Sequence, residues 1–529
     1  MRYDVIIVGG GIAGLTSAAF LAKNGYKILL CEKEKRVGGL VKSFYHDGFL
    51  YDAGVRGIID SGIVKPMLKQ LGIEIEFVKS RVSIGIEKEI MEIKSINSLD
   101  DYREILLKLY PESKTDIEII INEMKKVMKK MKIMNEIENP LFKDLKNDRE
   151  YIFKKLLPWL FKFFAKSFKS KKYNKPVNDY LKDFTDNKSL IDIITQHFFR
   201  DIPASFALNY FNMYMDYEYP YWGTSYLIEE IKDFFLKSSG TIKVSTEIKK
   251  IDIFNKKIFD INNNDYGYDQ LIWAADAKKL YKSIDMNTIN DKKVKKNVEK
   301  QKSLISEKRG GDSVYTLFLA VNMEREYFSN ISTGHFFYTP KKQGQSKIYD
   351  NLKNVIKSYD KEFIKKWMND YLEYTTYEIS IPVLRNEKLA PKGKTGLIIS
   401  VLMDYDFIDN VKHLGFYEEI KKFTEEKMID VLNNSIYRGI KYKLIHHFSS
   451  TPLTIERLSG NLDGAINGWA YTNDFIPAVS KMMQINKTCF TPVPSILQAG
   501  QWTYSPSGVP ISILTGKVAA NRAIKNIKK

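Results

Sequence analysis

The period of the hydrophobic positions changes several times along the chain, and each change marks an element. Residues 3–8 form a short apolar, β-branched run, the pattern of a parallel strand buried on both faces. Glycines follow at once. Residues 15–23 then have helical composition, with Gly25 placed to end the helix. Residues 27–31 read as a second strand, with Glu32 at its end. Residues 100–235 space their apolar side chains by three and four and predict a mainly helical region. Within it, Phe206, Tyr210, Tyr214 and Tyr217 fall on one helical stripe. Strands are expected at 251–261 and 266–273, around the turn-rich Asn262-Asn263-Asn264-Asp265, and again at 313–322, 374–384 and 396–404. The densely charged stretch 292–309 predicts a solvated helix or loop. A short strand at 495–500 and a helix at 511–527 close the chain.

At 529 residues the chain exceeds what one core supports, which is about 250–300 residues, so two domains interleaved in sequence are expected. A hydrophobic fraction of 44% and an aromatic fraction of 13% supply a large core. The formal charge of +18 has three readings: nucleic acid, an anionic membrane surface, or a lysine-rich proteome with no partner implied. The lysines are spread along the chain among many Ile and Asn residues, which favours the last. No nucleic-acid recognition module is visible. Residues 156–172 are strongly apolar and then basic through Lys169, Lys171 and Lys172. They read either as a helix lying in an anionic leaflet or as a buried helix with a solvated edge. No run of about 18 apolar residues is present and the first residues do not read as a signal peptide, so nothing is expected to span a bilayer. Only Cys31 and Cys489 occur, which fits a reducing, cytoplasmic setting, with peripheral contact to the inner membrane face as the one addition.

The candidate chemistry begins with Gly9, Gly11 and Gly14, a G-x-G-x-x-G between the first strand and first helix that also holds Ile12 and Ala13. Gly9 permits the tight turn, Gly11 leaves room for a diphosphate, and Gly14 lets helix and strand pack closely. The helix N-terminus offers free N–H groups and a partial positive charge to phosphates. Glu32 is placed to accept from both ribose hydroxyls and would repel a 2′-phosphate, with Lys33 beside it. Beyond Glu32 come Arg36-Val37-Gly38-Gly39 and then Gly48-Phe49-Leu50-Tyr51-Asp52-Ala53-Gly54. A paired glycine here is not needed for NAD.

Together these motifs resemble the extended signature of the FAD-binding amine oxidase and phytoene desaturase superfamily. A second block, 239–248, resembles the family's segment that presents backbone at the Ile248 position to adenine. A third, from Gly500 and Gln501 through Ser507-Gly508-Val509-Pro510, closely resembles the C-terminal block of phytoene desaturases, carotenoid isomerases and retinol saturases. The resemblance implies an α/β fold. It consists of a Rossmann-like, glutathione reductase-like FAD-binding domain built from three segments (1–80, 236–300 and 491–529), with a mainly helical substrate or lid region (81–235) and a mixed-sheet substrate domain (301–490) between them. One departure stands out: Leu40 occupies the position where many relatives carry an arginine, which leaves diphosphate neutralisation to the helix dipole and to Arg36 or Lys42.

The six histidines show no metal-ligand spacing, and no nucleophile elbow occurs. The expected chemistry is therefore the flavin's own. Arg56 is a candidate to lie near the isoalloxazine, its alternative being an ordinary surface or phosphate-pairing arginine. Tyr504 and Trp502 are weaker candidates that pack against the ring. For an apolar substrate, Tyr210, Tyr214, Tyr219 and Trp222 are candidate tunnel residues, although an aromatic stripe is more often core. Three functions follow: an FAD enzyme that desaturates, saturates or isomerises C=C bonds of a carotenoid, other isoprenoid or acyl lipid; an amine oxidase-like enzyme on a small amine; or a flavin-binding scaffold without turnover. The electron donor or acceptor is left open.

Overall fold

The computed structural model describes residues 1–133, 136–145, 147–166, 171–349 and 351–528. Lys169, in the basic tail expected of the 156–172 segment, lies outside the described residues. The chain opens with strand β1 (Arg2–Val8), helix α1 (Ile12–Lys23) and strand β2 (Ile28–Cys31). β1 is buried on both faces: Val5 and Ile7 join one apolar cluster while Ile6 and Val8 join another. β1 and β2 pair in parallel, Val8 opposite Cys31.

They belong to a seven-stranded sheet running Thr241–Lys243, β2, β1, Asp265–Trp273, Lys257–Asp260, Ile248–Asp252. Ile496–Gln498 also pairs in parallel with Asp265–Trp273. The sheet thus draws its strands from three separated stretches of sequence. The single strand expected at 251–261 is two strands, because the chain turns at 253–256 with Lys256 at φ 49°. A second seven-stranded sheet is centred on Ser313–Val321, Thr395–Met403 and Tyr377–Ser380, with Leu444–Ser450 at one edge and Val82–Ile86 and Glu89–Ile93 at the other. The strand expected at 374–384 is shorter than its apolar run, because Pro382 starts a 3₁₀ turn at Pro382–Leu384. Alternation along Ser313–Val321 is strict. Tyr315, Leu317, Leu319 and Val321 pack into the main core of this sheet, and Thr316, Phe318 and Ala320 point the other way.

The region 100–235 is mostly helical, but its aromatic stripe is not one helix. Phe206 sits in Ala204–Ala207, Tyr210 and Tyr214 in Tyr210–Met215, and Tyr217 in the strand Tyr217–Pro220. That strand pairs with Ile58–Ile59 and Phe77–Lys79 and ties the helical layer to the N-terminal unit.

The C-terminal helix (Val509–Ile527) packs on α1 at very short range. A Cβ on Gly516 would stand 2.4 Å from the Ala13 carbonyl oxygen, and Ser17 Oγ donates to the Gly516 carbonyl at 2.9 Å. Lys517 is buried in this contact, its Nζ 3.4 Å from the centroid of the Phe20 ring. Burial, with Lys23 nearby, lowers its pKa to about 8. A cation whose folded pKa lies below its unfolded value opposes folding while it is charged. The cost is present below pH 8 and is relieved as pH rises toward the ordinary lysine range. Lys517→Met is therefore expected to stabilise the protein at pH 7 by about 1–3 kcal/mol and to flatten the rise in stability above pH 8, as read by urea unfolding. Equal or lower stability of the variant would refute this.

Candidate functional site

A cleft opens where the C-terminal ends of β1, β2 and Asp265–Trp273 meet the N-termini of α1 and the C-terminal helix. Its empty space, counted out through the open mouth, is about 1280 Å³.

The three glycines of the first motif differ in what they do. Gly9 has φ +106°, and a Cβ on it would meet the Ala274 carbonyl oxygen at 2.6 Å; one on Gly14 would meet the Gly9 carbonyl oxygen at 1.9 Å. Both are demanded by the protein's own packing. A Cβ on Gly11 meets nothing nearer than Gly39 Cα at 3.9 Å, so packing leaves that position open toward the cleft. Gly11 is also the N-cap of α1. It has no side chain to cap the helix, and the first turn carries no acid. The N–H groups of that first turn have no acid or capping side chain of the helix itself to meet them. The second glycine pair presses against this turn: the Gly38 N–H donates to the Gly10 carbonyl at 2.8 Å, and a Cβ on Gly39 would lie 3.2 Å from Gly11 Cα.

Glu32 is 8% exposed, and its carboxylate accepts from the Gly10 N–H at 2.7 Å and the Glu34 N–H at 2.9 Å. A carboxylate has about four acceptor positions, so two remain for a diol. Beside it, burial pushes the Cys31 thiol up to about 12, which removes it as a nucleophile. Lys33 lines the cleft while donating to the Arg457 carbonyl at 2.5 Å. Ile248 lines the cleft from the start of its strand, at a β-bulge. Of the two cations considered in place of an arginine at Leu40, Lys42 lines the cleft, whereas Arg36 is exposed and does not.

At the other end, Gly500, Gln501, Gly508 and Val509 line the cleft with Ile466, Trp502 and Ser512. The Gly500 N–H donates to Thr515 Oγ1 at 2.9 Å, which fixes the turn to the C-terminal helix. Pro510 lies in the first turn of that helix, so the free donors there are N–H groups other than its own. The donor set therefore fits FAD: open glycine backbone and a helix N-terminus for a diphosphate, a free acceptor edge for a ribose, and a second helix N-terminus at the far end.

Other candidates stand elsewhere. Val55 lines the cleft but Arg56 does not; it is buried against the second sheet. Its Nη1 lies 3.1 Å from Glu378 Oε2, and its Nη2 donates to Thr316 and Ser400. These partners are cross-strand neighbours, Thr316 opposite Ser400 and Ser400 opposite Glu378. Arg56 is thus a paired cation and not a free one at the cleft. Burial raises the Glu378 carboxyl, but Arg56, His335 and Arg385 outweigh it and hold the pKa at about 2. Tyr504 lies in the core under the cleft, its hydroxyl 3.3 Å from the Ser480 carbonyl.

The aromatic candidates divide. Tyr210 and Tyr214 are core residues, packed with His197, Phe198 and Phe337. Tyr219 is buried, donates to Asp52 at 2.7 Å and lies under the Arg385 guanidinium. Trp222 is 41% exposed against Tyr221. None of the four lines the cleft.

Sequence reading missed Lys279 and Asn467. Lys279 lines the cleft from the first turn of Ala277–Ser283 and, like Lys33, lies beside Gly460. Asn467 follows the cleft-lining Ile466. Its amide is buried with neither Oδ1 nor Nδ2 partnered. A surface lysine and a loop asparagine carry no periodic signal, so neither was detectable from pattern.

Comparison with known proteins agrees with this geometry. Residues 7–71 match the NAD(P)-binding Rossmann-like domain family. The chain is 21% identical to the all-trans-retinol 13,14-reductase of Danio rerio over 94% of its own length and 82% of that protein. It is 21% identical to a 1-hydroxycarotenoid 3,4-desaturase of Flavobacterium sp. over 98% of each chain. A 51-residue stretch is 53% identical to the inactive all-trans-retinol 13,14-reductase of Danio rerio, 8% of that protein. An oxidoreductase from Methanosarcina mazei shares the fold over 99% of this chain and 100% of its own, at TM-score 0.60 and 14% identity. Putrescine oxidase with bound putrescine does so over 99% of each chain, at TM-score 0.57 and 12% identity.

Proposed function

We propose that this chain, a phytoene desaturase- and retinol saturase-like FAD oxidoreductase of the amine oxidase superfamily, desaturates, saturates or isomerises C=C or C–C bonds of an apolar polyene, isoprenoid or similar lipid. The observation that carries the reading is the donor set of the cleft, which fits FAD: glycine backbone and the α1 N-terminus at one end, the acceptor edge of Glu32, and the N-terminus of the C-terminal helix at the other. The amine oxidase-like reading has less support among the relatives that align over most of their length. The two full-length relatives, named as a retinol reductase and a hydroxycarotenoid desaturase, point to the same substrate class.

In this reading Gly9, Gly11, Ile12, Ala13, Gly38 and Gly39 hold the diphosphate, with Lys42 supplying charge, while Gly14 lies outside the cleft lining and serves the packing of α1 against the Gly9 turn. Glu32 and Lys33 hold the ribose side, Ile248 the adenine, and Gly500, Gln501, Gly508 and Val509 the flavin end. FAD, when bound, supplies the two-electron acceptor or donor. The chain's part is to orient the apolar substrate and exclude water.

No helix among the described residues is long and apolar enough to cross a membrane. The helix Leu157–Lys166 turns Trp159 inward, its indole N–H donating to the Ile133 carbonyl at 2.6 Å. Phe153 and Phe161 are left 66% and 78% exposed among Lys154, Lys155 and Lys162. Exposed aromatics ringed by lysine suit peripheral contact with an anionic leaflet, from which an apolar substrate is taken.

The test is anaerobic. Purified yellow protein is mixed with polyenes in anionic vesicles while flavin absorbance and polyene products are followed. Lipid-dependent redox change, or double-bond rearrangement without net bleaching, is the expected result, with vesicle co-sedimentation reduced several-fold in Phe161→Glu. Bleaching by small amines alone, or a flavin inert to every donor and acceptor, would overturn the reading.

A further inference from the structure

Strands β3 (Ser43–His46) and β4 (Phe49–Asp52) form a hairpin beyond the second glycine pair, with His46 opposite Phe49. Asp47 and Gly48 are its two-residue turn, at φ 49° and 84°. This is the Asp-Gly turn that matches strand twist, and it fixes where His46 and Asp47 point. The hairpin packs on Leu444–Ser450, an edge strand of the second sheet, through Phe44, Phe49, Tyr51 and Phe448.

Alternation along that edge strand separates its two adjacent histidines. His447 turns to Glu425, with Nε2 3.6 Å from Oε2, while His446 turns to the hairpin. There His446 Nδ1 lies 3.4 Å from Asp47 Oδ2, and His46 Nε2 lies 3.7 Å from the same oxygen. One donor atom from each of the three residues falls within 4.8 Å of the other two. Around a four-coordinate zinc with ligand bonds of about 2.0–2.1 Å, tetrahedral geometry sets neighbouring donors about 3.3–3.4 Å apart. The spacings of the two histidines from Asp47 are close to that. His446 Nδ1 is itself buried and makes no hydrogen bond. The other ring nitrogen, Nε2, lies 3.3 Å from the Tyr51 hydroxyl. A proton on Nε2, shared with that hydroxyl, leaves the Nδ1 lone pair facing Asp47, which is the outer hydrogen bond that orients a ligating histidine.

We propose that His46, Asp47 and His446 bind a divalent transition cation of the zinc class, with the fourth position open to solvent. Two imidazoles and one carboxylate select such an ion over magnesium or calcium, which prefer all-oxygen sites. The bound ion clips the hairpin to the edge strand of the second sheet. It thereby fixes the segment between Gly39 and the buried Asp52, which accepts from Ser43, Tyr219 and Thr224.

The experiment uses tag-free, flavin-loaded full-length protein stripped with chelator and titrated with Co²⁺ and then Zn²⁺. One equivalent of Co²⁺ is expected to give visible d–d absorption on the long-wavelength side of the flavin bands, displaced by Zn²⁺, together with a higher unfolding temperature. Asp47→Asn lies on an exposed turn and keeps a residue that tolerates positive φ. It is expected to abolish the Co²⁺ spectrum and leave flavin content unchanged. Tyr51→Phe is expected to weaken binding by about 10–100-fold. Wild-type protein that binds no Co²⁺, or binds it equally well after His46→Ala and Asp47→Asn, would overturn the site. Because flavin content and turnover are read separately, failure here is distinct from failure of the lipid oxidoreductase reading.

Discussion

Gly11→Trp is expected to fold and to purify without flavin. The reason lies in the difference among the glycines. Side chains at Gly9 or Gly14 collide with protein backbone at 2.6 and 1.9 Å, so those variants confound folding with binding. At Gly11 a Cβ finds no protein atom nearer than 3.9 Å, and an indole grows into the cleft. It fills the space between the α1 N-terminus and Gly39 that a diphosphate would occupy. Loss of the phosphate-directed N–H contacts costs about 4 kcal/mol or more, a thousandfold in Kd. The check is flavin absorbance per protein alongside circular dichroism and a thermal melt. A folded variant that keeps stoichiometric FAD would refute the cradle as drawn.

The second large effect concerns Arg56 and Glu378. Arg56 has a side chain only 4% exposed, so Arg56→Met leaves Glu378 with His335 and a more distant Arg385 against the cost of burial. Breaking a fully buried pair costs about 3–5 kcal/mol; Glu378 keeps 34% of its side-chain surface accessible, so about 2 kcal/mol is expected after screening. The pH dependence has a definite sign. Glu378 has a folded pKa of about 2, below its unfolded value, so its contribution is present in full above the ordinary glutamate range. It is lost as pH falls from there toward 2. Urea unfolding at pH 3 to 6 is expected to show this loss in the wild type and not in Glu378→Gln. A parallel pH profile in the variant would assign the acid sensitivity to other carboxylates. If flavin content survives in Arg56→Met, the arginine acts on the second sheet and not on the cofactor.

These two predictions differ in how far the sequence could take them. The N-terminal cradle was legible because its parts are local: strand, glycine turn, helix and acid lie within residues 2–32. Each imposes its geometry through backbone sterics. The C-terminal Gly508-Val509-Pro510 turn was readable for a similar reason, since a proline in the first turn starts a helix wherever it stands. The aromatic stripe misled because equal spacing does not guarantee one helix. The chain breaks between Ala207 and Tyr210 and becomes strand at Tyr217, and the tyrosines pack into the core.

By itself, the sequence determined a dinucleotide cradle at the start of the chain, a helix opening at Gly508 near its end, and the class of fold that joins them. Those follow from residues a few positions apart, where periodicity and turn chemistry act. Only the tertiary structure decided which ionisable groups meet. Arg56 finds Glu378 322 residues away, and His46 and Asp47 reach His446 from a hairpin turn. Such pairings depend on the register of strands in two sheets. A one-residue slip of Leu444–Ser450 would exchange His446 for His447 at the hairpin, a slip of Tyr377–Ser380 would turn Glu378 away from Arg56, and no local pattern records which register is used.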